Sequence, residues 1–465
     1  MFRNFGEQCA VIDEKGQKYS YNQIFEDVEA LYSHIGRRCL IFIMCRNVKD
    51  SLVGYVSSIN HHVVPLLLSA ELDEELYTHL KETYHPEYIW APAGSGYTDG
   101  MECDWILDDY GLYHTGLEPY ALNEKLALLL TTSGSTGSPK LVRQSYENIR
   151  ANTESIVEYL EITPSEKPIT SLPMNYTYGL SVINTHLYTG ATILMTNYAV
   201  VQKEFWQIMR EQGATSIAGV PYTYEMLNRL RFFGMDLPAL KTMTQAGGKL
   251  SPELHRKFAE YASEKKKRFI VMYGQAEATA RMAYLPAERS LEKYGSMGIA
   301  IPGGRLELID VNGNVIEEAD TVGELVYYGK NVTLGYAQKG EDLVLGDERN
   351  GRLITGDMAK RDTDGFYYIV GRKKRFLKIF GNRVNLDETE RMLKTHFPEN
   401  DVACAGVDDK MYIFVTEDLD EAELRKYLSE KTGLHISAFC VKRIEEIPKN
   451  DAGKTLYKAL EQYYK

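Results

Sequence analysis

The 465-residue sequence lacks any apolar run of the roughly 18 residues that a membrane-spanning helix needs. Its first residues, MFRNFGEQCAVIDEKG, lack the apolar core of a secretory signal peptide. The six cysteines include no CxxC pair, so we expect free thiols rather than disulfides or metal ligands. These absences together predict a cytoplasmic protein without a membrane span.

An excess of positive charge is also missing. Lys and Arg number 53 against 65 Asp and Glu, which gives a formal net charge of −12. A chain with this balance is not expected to bind nucleic acid unless basic residues are concentrated on one surface. The strongest local candidate, GRKKRFLK at residues 371–378, is by itself most simply explained as a solvated turn. We therefore expect no nucleic-acid partner.

Apolar runs and amphipathic segments alternate along the first 300 residues. The expected strands are 39–45, 62–68, 190–196, 216–220 and 268–274, and the expected helices are 21–36 and 203–213. This alternation is typical of an α/β protein with doubly wound sheets and helices on both faces. After residue 300, alternating residues around the Asn312-Gly313 pair predict a small antiparallel β unit, and a short αβ section follows residue 371.

The segment LTTSGSTGSPK at residues 130–140 directly extends the apolar run LALLL and holds three Ser, three Thr and two Gly. Glycines let backbone N–H groups turn toward an anion, and the hydroxyls add donors, so the segment predicts a phosphate-binding loop. It is not a Walker A loop, because Ser138 and Pro139 separate Gly137 from Lys140. The GKT of residues 453–455 has Pro448 where that motif needs its first glycine, so a P-loop NTPase is disfavoured.

Five further segments accompany the hydroxyl-rich loop. They are QAGGKL (245–250), MYGQAEAT (272–279), GELVYYGKNVTLGY (323–336), ITGDMAKRDTDGFYYIVGRKKRFLKIFGNRV (354–384) and PKNDAGKT (448–455). With TTSGSTGSPK, these segments resemble, in order, the motifs of the adenylate-forming superfamily: acyl-CoA synthetases, adenylation domains of peptide synthetases, and luciferases. The resemblance implies an α/β fold with doubly wound mixed sheets. It also implies a large adenylation domain at 1–372 and a small mobile α+β domain at 373–465.

The resemblance implies a free-standing ligase that uses ATP and Mg²⁺ to activate a small carboxylic acid. The acid attacks the α-phosphorus, pyrophosphate leaves, and the acyl-adenylate passes its acyl group to CoA or to the phosphopantetheine of a separate acyl carrier protein. Both steps require neutralised charge and aligned reactants. Three alternatives stay open: a ligase that stops at the adenylate or acylates an amine or hydroxyl, a non-catalytic nucleotide-binding relative, and a luciferase-like oxygenase.

The resemblance also assigns nucleotide contacts to individual residues. The phosphates of ATP would be held by Thr132, Ser133, Gly134, Ser135, Thr136, Gly137 and Lys140. Further ATP or AMP contacts are implied for Gly247, Gly248, Lys249, Tyr273, Gly274, Gln275, Ala276, Asp357, Ile369 and Arg372. Tyr273 would stack on the adenine, and Asp357 would accept hydrogen bonds from the ribose hydroxyls.

Three residues carry the implied chemistry and motion. Glu277 is the implied Mg²⁺ ligand, and Lys454 in PKNDAGK is the implied catalytic lysine, whose ammonium would offset charge in the first transition state. Lys374, two residues after Arg372, is the implied hinge of the small domain. The basic run 371–378 is in addition a candidate contact for the phosphates of the thiol acceptor.

The sequence departs from the family pattern at Ala276, where a Thr hydroxyl usually contacts the α-phosphate. Its absence removes one donor, worth about 1 kcal/mol if nothing replaces it. Thr279 is close enough in the sequence to be a candidate substitute.

The implied acid pocket includes Tyr176, Tyr222 and Gln245. Peptide-synthetase domains usually place an Asp near position 176 to pair with an α-ammonium group, and Tyr cannot supply that charge. An ordinary α-amino acid is therefore disfavoured. Tyr222 and Tyr224 together suggest a partly polar aromatic wall, which suits an aryl, hydroxylated or short acyl acid better than a long chain.

Overall fold

The computed structural model describes residues 1–131, 140–380, 382–417, 419–449 and 455–464. The chain divides into two compact units: unit 1 is Met1–Arg305 with Tyr327–Leu353, and unit 2 is Leu306–Val326 with Ile354–Lys465. A functional boundary after residue 372 stays a prediction. The side chain of Lys374 lies outside the described part, as do several residues with predicted roles: Thr132, Ser133, Gly134, Ser135, Thr136, Gly137 and Lys454.

The described residues form eleven α-helices. They are α1 (Tyr21–Ile35), α2 (Lys49–Asn60), α3 (Glu74–Tyr84), α4 (Tyr146–Leu160), α5 (Thr177–Thr189), α6 (Lys203–Glu211), α7 (Pro221–Arg229), α8 (Pro252–Glu264), α9 (Leu386–His396), α10 (Glu421–Thr432) and α11 (Tyr457–Leu460). The first eight belong to unit 1 and the last three to unit 2.

Strands interleave with these helices along the whole chain. The first sixteen are β1 (Cys9–Ile12), β2 (Lys18–Ser20), β3 (Leu40–Cys45), β4 (Val64–Ser69), β5 (Tyr88–Pro92), β6 (Glu102–Leu107), β7 (Tyr110–His114), β8 (Leu126–Thr131), β9 (Leu141–Ser145), β10 (Pro168–Ile169), β11 (Ile193–Leu194), β12 (Ser216–Gly219), β13 (Thr242–Gln245), β14 (Arg268–Tyr273), β15 (Ala283–Tyr284) and β16 (Ile299–Ala300). The remainder are β17 (Arg305–Ile309), β18 (Gly323–Tyr328), β19 (Gly335–Ala337), β20 (Arg352–Arg361), β21 (Tyr367–Arg372), β22 (Phe376–Ile379), β23 (Asn382–Asn385), β24 (Val402–Val407), β25 (Lys410–Val415) and β26 (Phe439–Arg443).

Unit 1 is built on two large mixed sheets. One has the order β16-β15-β14-β13-β12-β10-β11-β1-β2, and the other β19-β9-β8-β4-β3-β5-β7-β6. The centre of each sheet is parallel, as in the β12–β13–β14 and β8–β4–β3–β5 series, while strands at the edges pair antiparallel. The predicted α/β class with mixed, doubly wound sheets is confirmed.

Strand β3 explains why the expected strands have continuous apolar sequences. Ile41, Ile43 and Cys45 pack into one buried cluster with α1 and α2. Leu40, Phe42 and Met44 point to the opposite face and join a second cluster with α3. Because both faces of a central parallel strand are covered, an alternating apolar–polar pattern is absent there.

Helix α1 shows how local sequence fixes an element boundary. The Ser20 side chain accepts a hydrogen bond from the Gln23 backbone N–H, and the Gln23 side chain reciprocates to form a capping box. Gly36 ends the helix at a positive φ of 66°, a conformation that glycine adopts without a steric penalty. The helix buries its residues at 24, 28, 31 and 35, which is the spacing of one helical face.

Unit 2 contains most of a four-stranded sheet, β17-β18-β20-β21, together with the hairpin β22-β23 and the three-stranded sheet β24-β25-β26. The turn after β17 is closed at Asp310, whose carboxylate accepts from the backbone N–H groups of Asn312 and Asn314. Ile309 and Val315 then pair antiparallel, as the Asn-Gly signal predicted. A separate apolar core beneath β24–β26 involves α9 and α10.

All six cysteines are free thiols, as predicted, and Cys39, Cys45 and Cys404 are buried. Burial raises the pKa of the Cys39 thiol to about 12, so it is protonated and unreactive at neutral pH. Across the described ranges, the model contains no helix that is both long and apolar enough to span a membrane.

His255 in α8 makes stability depend on pH. Its ring is almost completely buried and accepts at Nδ1 from the Gly295 N–H, so the neutral ring carries its proton on Nε2, facing Ser290 Oγ. Burial lowers its pKa to about 4. The unfolded chain, with a histidine pKa of about 6.5, therefore binds more protons between pH 4 and 6.5. Stability from this group is complete above pH 6.5 and is lost as the pH falls toward 4.

Between pH 7 and pH 5, His255 should lower the unfolding free energy of the wild-type protein by about 2 kcal/mol, since each pH unit is worth about 1.4 kcal/mol per proton. We expect His255→Gln not to show this part of the loss. Urea unfolding at pH 7, 6 and 5 measures this slope independently of any constant destabilisation. The control is His79→Gln, which changes an exposed histidine in α3 and should leave the slope unchanged. Equal slopes in wild type and His255→Gln would contradict the assignment.

Candidate active site

Three charged side chains of unit 1 meet at Tyr336 in β19. The Tyr336 hydroxyl donates a 2.7 Å hydrogen bond to Glu277 Oε1. Lys140 Nζ lies 3.3 Å from the centroid of the tyrosine ring, and Arg349 Cζ lies 4.5 Å from it. The structure thus brings together Lys140 and Glu277, which the sequence assigned to phosphate and metal, over a ring that the sequence did not assign. Its only sequence signal is that Tyr336 ends the motif GELVYYGKNVTLGY.

Two cations and one carboxylate share this ring. Lys140 and Arg349 supply two cations against the single carboxylate of Glu277, and Arg349 Nη1 also donates to the Glu277 carbonyl oxygen at 3.2 Å. Burial, together with the negative charge of Glu277, raises the pKa of Tyr336 well above its usual range, so its hydroxyl is an uncharged donor. Cations and a carboxylate at one ring are groups that can bind a polyphosphate together with a metal ion.

The loop that carries Glu277 is closed by a backbone contact at Gly274. A Cβ on Gly274 would lie 1.7 Å from the Ala280 carbonyl oxygen, which no side chain can tolerate. Between these residues a 3₁₀ turn spans Ala276–Ala278, and the chain then passes through positive φ at Thr279 (62°) and Ala280 (153°). Such strained geometry persists only where surrounding contacts determine it.

Asn331 supplies several of those contacts. Its amide Nδ2 donates to the carbonyl oxygens of Ala278 and Arg281 at 2.8 and 2.9 Å, while its Oδ1 accepts from the Tyr327 hydroxyl. Asn152 Nδ2 donates to the same Arg281 carbonyl at 3.0 Å. The loop from Tyr273 to Arg281 is therefore held by side chains distant in sequence.

The Thr279 hydroxyl already has a hydrogen-bond acceptor in this loop. It is buried and donates a 2.7 Å hydrogen bond to the Asn331 carbonyl oxygen. A hydroxyl has one proton to donate, so Thr279 does not replace the donor that the family usually places at position 276. The expectation of a substitute at Thr279 is wrong in this conformation.

Two groups of predicted residues meet at Gly247, which has a φ of 84°. A Cβ there would lie 2.6 Å from the Tyr176 hydroxyl oxygen, so the predicted acid-pocket tyrosine contacts the predicted adenine loop. Gln245 is fully buried and donates through Nε2 to the carbonyl oxygens of Ala246 and Gly248. Gln245 therefore stabilises the backbone of this loop through two hydrogen bonds.

The two tyrosines of α7 differ in environment. Tyr222 is 49% exposed, whereas Tyr224 is fully buried, donates to the Thr244 carbonyl oxygen at 2.8 Å and packs against Phe258 and Phe269. Tyr224 is thus a core residue and not part of a pocket wall. Its apolar packing partners lie 34 and 45 residues farther along the chain, and local sequence could not identify them.

The remaining nucleotide residues of unit 1 occupy the ends of β13 and β14. Gly248 and Lys249 are exposed after β13, and Tyr273 is half-buried at the end of β14. Gln275 Nε2 donates to the Tyr273 hydroxyl at 3.2 Å. Ligands of doubly wound sheets bind beyond the carboxyl ends of such strands.

In unit 2, the predicted ribose residues pair with each other. Asp357 in β20 stands opposite Arg372 in β21, and Arg372 Nε lies 2.7 Å from Asp357 Oδ1. Asp357 is 2% exposed, while the Arg372 side chain is 56% exposed. Ile369, opposite Ala359 in the same ladder, is half-buried.

Within the basic run 371–378, Arg375 is enclosed by partners from unit 2. Arg375 bonds Asp387 Oδ1 at 2.6 Å, the Glu390 carboxylate and the Cys404 carbonyl oxygen, and its guanidinium stacks on Tyr457. Lys373 Nζ is 2.7 Å from Glu324. The expectation that the whole run is free to meet acceptor phosphates is wrong for Arg375, because acidic partners from α9 neutralise it.

A magnesium ion is compatible with Glu277 as one ligand among several. In the described part of the chain, no group of three or more Asp, Glu, His or Cys side chains could hold a metal by itself. Mg²⁺ is usually bound by one or two carboxylates together with phosphate oxygens and water. Glu277, with Tyr336 on Oε1 and cations nearby, fits that donor set when phosphates supply the remaining ligands.

Comparison with known proteins gives matches along most of the chain. The family model described as AMP-binding enzyme matches residues 2–337. Oxalate–CoA ligase of Arabidopsis thaliana is 26% identical over 73% of this chain and 67% of its own length. 2-Succinylbenzoate–CoA ligase of Bacillus licheniformis is 27% identical over 71% of this chain and 68% of its own length. The matches thus span about two thirds of these relatives.

A solved structure extends the likeness over nearly the whole fold. The o-succinylbenzoate CoA synthetase of Bacillus subtilis, solved with its acyl-adenylate intermediate, superimposes with a TM-score of 0.79 at 22% identity. The match covers 98% of this chain and 95% of that chain. The same Bacillus enzyme has been solved with ATP and a magnesium ion.

Gly274→Ala should destabilise the protein by about 3 kcal/mol or more, because the added methyl group would overlap the Ala280 carbonyl. Urea unfolding at pH 7 measures the loss. Gly96→Ala is the matched control, since a Cβ there meets nothing within 4 Å and should change stability by less than about 1 kcal/mol. Comparable stability of the two variants would show that the loop closure is not as described.

Proposed function

We propose that this chain, which belongs to the AMP-binding enzyme family, is an ATP- and Mg²⁺-dependent ligase. It would form an acyl-adenylate, release pyrophosphate and transfer the acyl group to CoA. The observation that carries this proposal is the cluster of Lys140, Glu277 and Arg349 around Tyr336. The names of the two curated relatives, both CoA ligases, support CoA as the acceptor. The phosphopantetheine of a carrier protein is the alternative thiol.

The residues of unit 1 divide the work of the first step. Lys140, the last residue of the hydroxyl-rich segment, and Arg349 offset phosphate charge, while Glu277, oriented by the Tyr336 hydroxyl, holds Mg²⁺. ATP with Mg²⁺ supplies the phosphorus that the carboxylate attacks and the pyrophosphate that leaves. The half-buried Tyr273 offers a ring face to the adenine, and the backbone at Gly247 and Gly248 borders it.

Unit 2 contributes the ribose contacts and the lysine in this proposal. The Asp357 carboxylate, oriented by Arg372, accepts from ribose hydroxyls. Lys454 neutralises charge between the attacking carboxylate and the α-phosphate. A hinge at Lys374 then removes Lys454 before the thiol step. Its place in a 3₁₀ turn, Lys373–Arg375 at the end of β21, supports a hinge, since residues at element ends absorb large dihedral changes.

The acid is proposed to be small, short or aromatic, and not an α-amino acid. Tyr176, whose hydroxyl contacts the Gly247 backbone, provides no carboxylate to pair with an ammonium group. The acids in the relatives' names, oxalate and 2-succinylbenzoate, are of the proposed size. We further propose a cytoplasmic location.

One observation favours a second candidate, a nucleotide-binding relative that does not turn over. Position 276 has no hydroxyl, and the Thr279 hydroxyl is used by the Asn331 carbonyl. A missing donor to the α-phosphate would slow adenylation by about fivefold, since it is worth about 1 kcal/mol. This effect is too small by itself to abolish activity, so the ligase remains the preferred proposal.

The test is carboxylate-dependent ATP–pyrophosphate exchange over aryl, short-chain, hydroxy and amino acids. We expect exchange with one class of acid, and a loss of at least about 100-fold in Lys454→Ala, because that ammonium acts on the transition state. Lys458→Ala, which changes an exposed lysine in α11, is the control and should retain full exchange.

Thioester formation with CoA, followed by chromatography, then separates the acceptors. Exchange without acyl-CoA product would redirect the second step to a carrier protein. ATP binding without exchange for any acid would refute the ligase and support the non-catalytic candidate.

Tyr336→Phe should raise the Mg²⁺ concentration that gives half-maximal exchange by about tenfold. The reason is that removing a hydrogen bond that orients a metal ligand usually weakens metal binding by roughly 10–100-fold. A Mg²⁺ titration at saturating ATP and acid measures this. Tyr328→Phe, which removes a hydroxyl that accepts a 3.3 Å hydrogen bond from Arg352 Nε, serves as control. An unchanged Mg²⁺ requirement in Tyr336→Phe would contradict the role assigned to this hydroxyl.

A further inference from the structure

A buried arginine lines a cavity of unit 1 whose strands also carry residues of the candidate active site. Arg281 is 3% exposed. The cavity lies between helices α4 and α5 and strands β12, β13 and β14, and its wall includes Ala218, Thr244 and Met272. Thr244 and Met272 directly precede Gln245 and Tyr273, two strand-end residues with predicted roles, while Ser216, Thr242 and Arg268 line the cavity at the opposite ends of these strands. The cavity is therefore built on the same strands that position the site.

The surroundings of the Arg281 guanidinium are uncharged. Its Cζ lies 3.9 Å from the centroid of the Tyr178 ring, and its Nε is 3.4 Å from Met272 Sδ. It also neighbours the Tyr159 hydroxyl: burial raises the pKa of Tyr159, and the charge of Arg281 opposes that rise. Among the ion pairs of the described residues, none includes Arg281.

The other ionisable groups of the cavity already have partners. Arg268 lies 2.9 Å from Glu161, and Glu166 accepts from the Thr215 hydroxyl and lies 3.7 Å from Lys241 Nζ. Burial lowers the pKa of His186 to about 4, so it is neutral at pH 7. Arg281 is thus the cavity-lining cation that lacks a carboxylate within the described ranges.

The position of Arg281 is fixed independently of its side chain. Its carbonyl oxygen accepts from both Asn152 and Asn331, at the end of the loop that also carries Glu277. Burying an uncompensated charge is costly, and proteins normally pair such a group. A cation held in this way, at the end of a catalytic loop and facing a cavity, is arranged for an anion that arrives with a ligand.

We propose that Arg281 is the specificity-determining counter-charge for a second anionic group of the acid, so that the enzyme selects small dianionic acids. This inference rests on the proposed ligase activity and names its substrate class. One carboxylate would be activated, and a second oxyanion, carboxylate or sulfonate, would pair with the planar guanidinium in the cavity. Ala218 and Met272 supply apolar wall to the same cavity.

The test compares acids of equal shape and different charge in ATP–pyrophosphate exchange. In each pair the first acid is a dianion, and the second, called its neutral partner, is a monoanion whose second group is uncharged: succinate with succinamate, phthalate with phthalamate, and sulfoacetate with methylsulfonylacetate. We expect kcat/KM to favour the dianion of at least one pair by about tenfold or more. Preference for succinate or phthalate would identify a carboxylate as the second group, and preference for sulfoacetate a sulfonate. The wild-type enzyme alone can overturn the inference, if every neutral partner is used as well as its dianion.

Variants then separate specificity from stability. Arg281→Gln should abolish the preference, with the dianion losing about tenfold or more relative to its neutral partner, whereas Arg281→Lys should retain part of it. A purely structural arginine would lower both acids of a pair equally. That outcome would overturn the inference.

Equilibrium binding distinguishes failure of this inference from failure of the ligase. The thermal midpoint is measured with AMP plus either member of each pair. Equal exchange with the dianions and with their neutral partners supports the ligase and refutes the role of Arg281. Stabilisation by a dianion alone, lost in Arg281→Gln and without exchange, refutes the ligase and supports the anion site. Neither exchange nor selective stabilisation with these pairs refutes the role of Arg281, while the ligase is judged by exchange over the full panel of acids.

Discussion

The close approach of the Gly274 backbone to the Ala280 carbonyl is the constraint on which the candidate site depends. It forces the chain to turn back within seven residues, and the turn places Glu277 at its tip and Arg281 at its end. Because Ala280 has an unfavourable φ, the turn must be held from outside, and Asn152 and Asn331 do this through carbonyl oxygens. A rigid, over-determined loop presents its carboxylate and its guanidinium at fixed positions, which is what charge stabilisation in a reaction requires.

Unit 1 holds cationic side chains at two aromatic rings. Lys140 and Arg349 share Tyr336 with the carboxylate of Glu277, and Arg281 lies against Tyr178 with no carboxylate partner among the described residues. The net charge of the whole chain is −12, so these cations are a local exception and not a consequence of composition. Local positive potential within an acidic protein suits small anionic ligands and does not suit a polyanion as large as nucleic acid.

In unit 2, by contrast, a buried cation is paired with carboxylates. Arg375 is enclosed by Asp387, Glu390 and Tyr457, so that the β21–β22 segment is fastened to helices α9 and α11. A buried pair of this kind contributes little net stability but specifies one arrangement of the elements that carry it. This anchor adjoins Lys374, the position of the proposed hinge.

The sequence by itself determined the α/β class, because apolar periodicity and glycine-rich turns act over a few residues, and its ordered motifs carried the resemblance to the family. The same resemblance predicted roles for Glu277 and Lys140. Tertiary structure decided which side chains meet: Tyr336 reaches Glu277 across 59 residues, Tyr224 joins the core, Thr279 turns inward, and Arg281 is buried beside a cavity. The physical reason is that burial, charge pairing and hydrogen-bond partners are set by long-range contacts, whereas local sequence encodes only the conformations available to each segment.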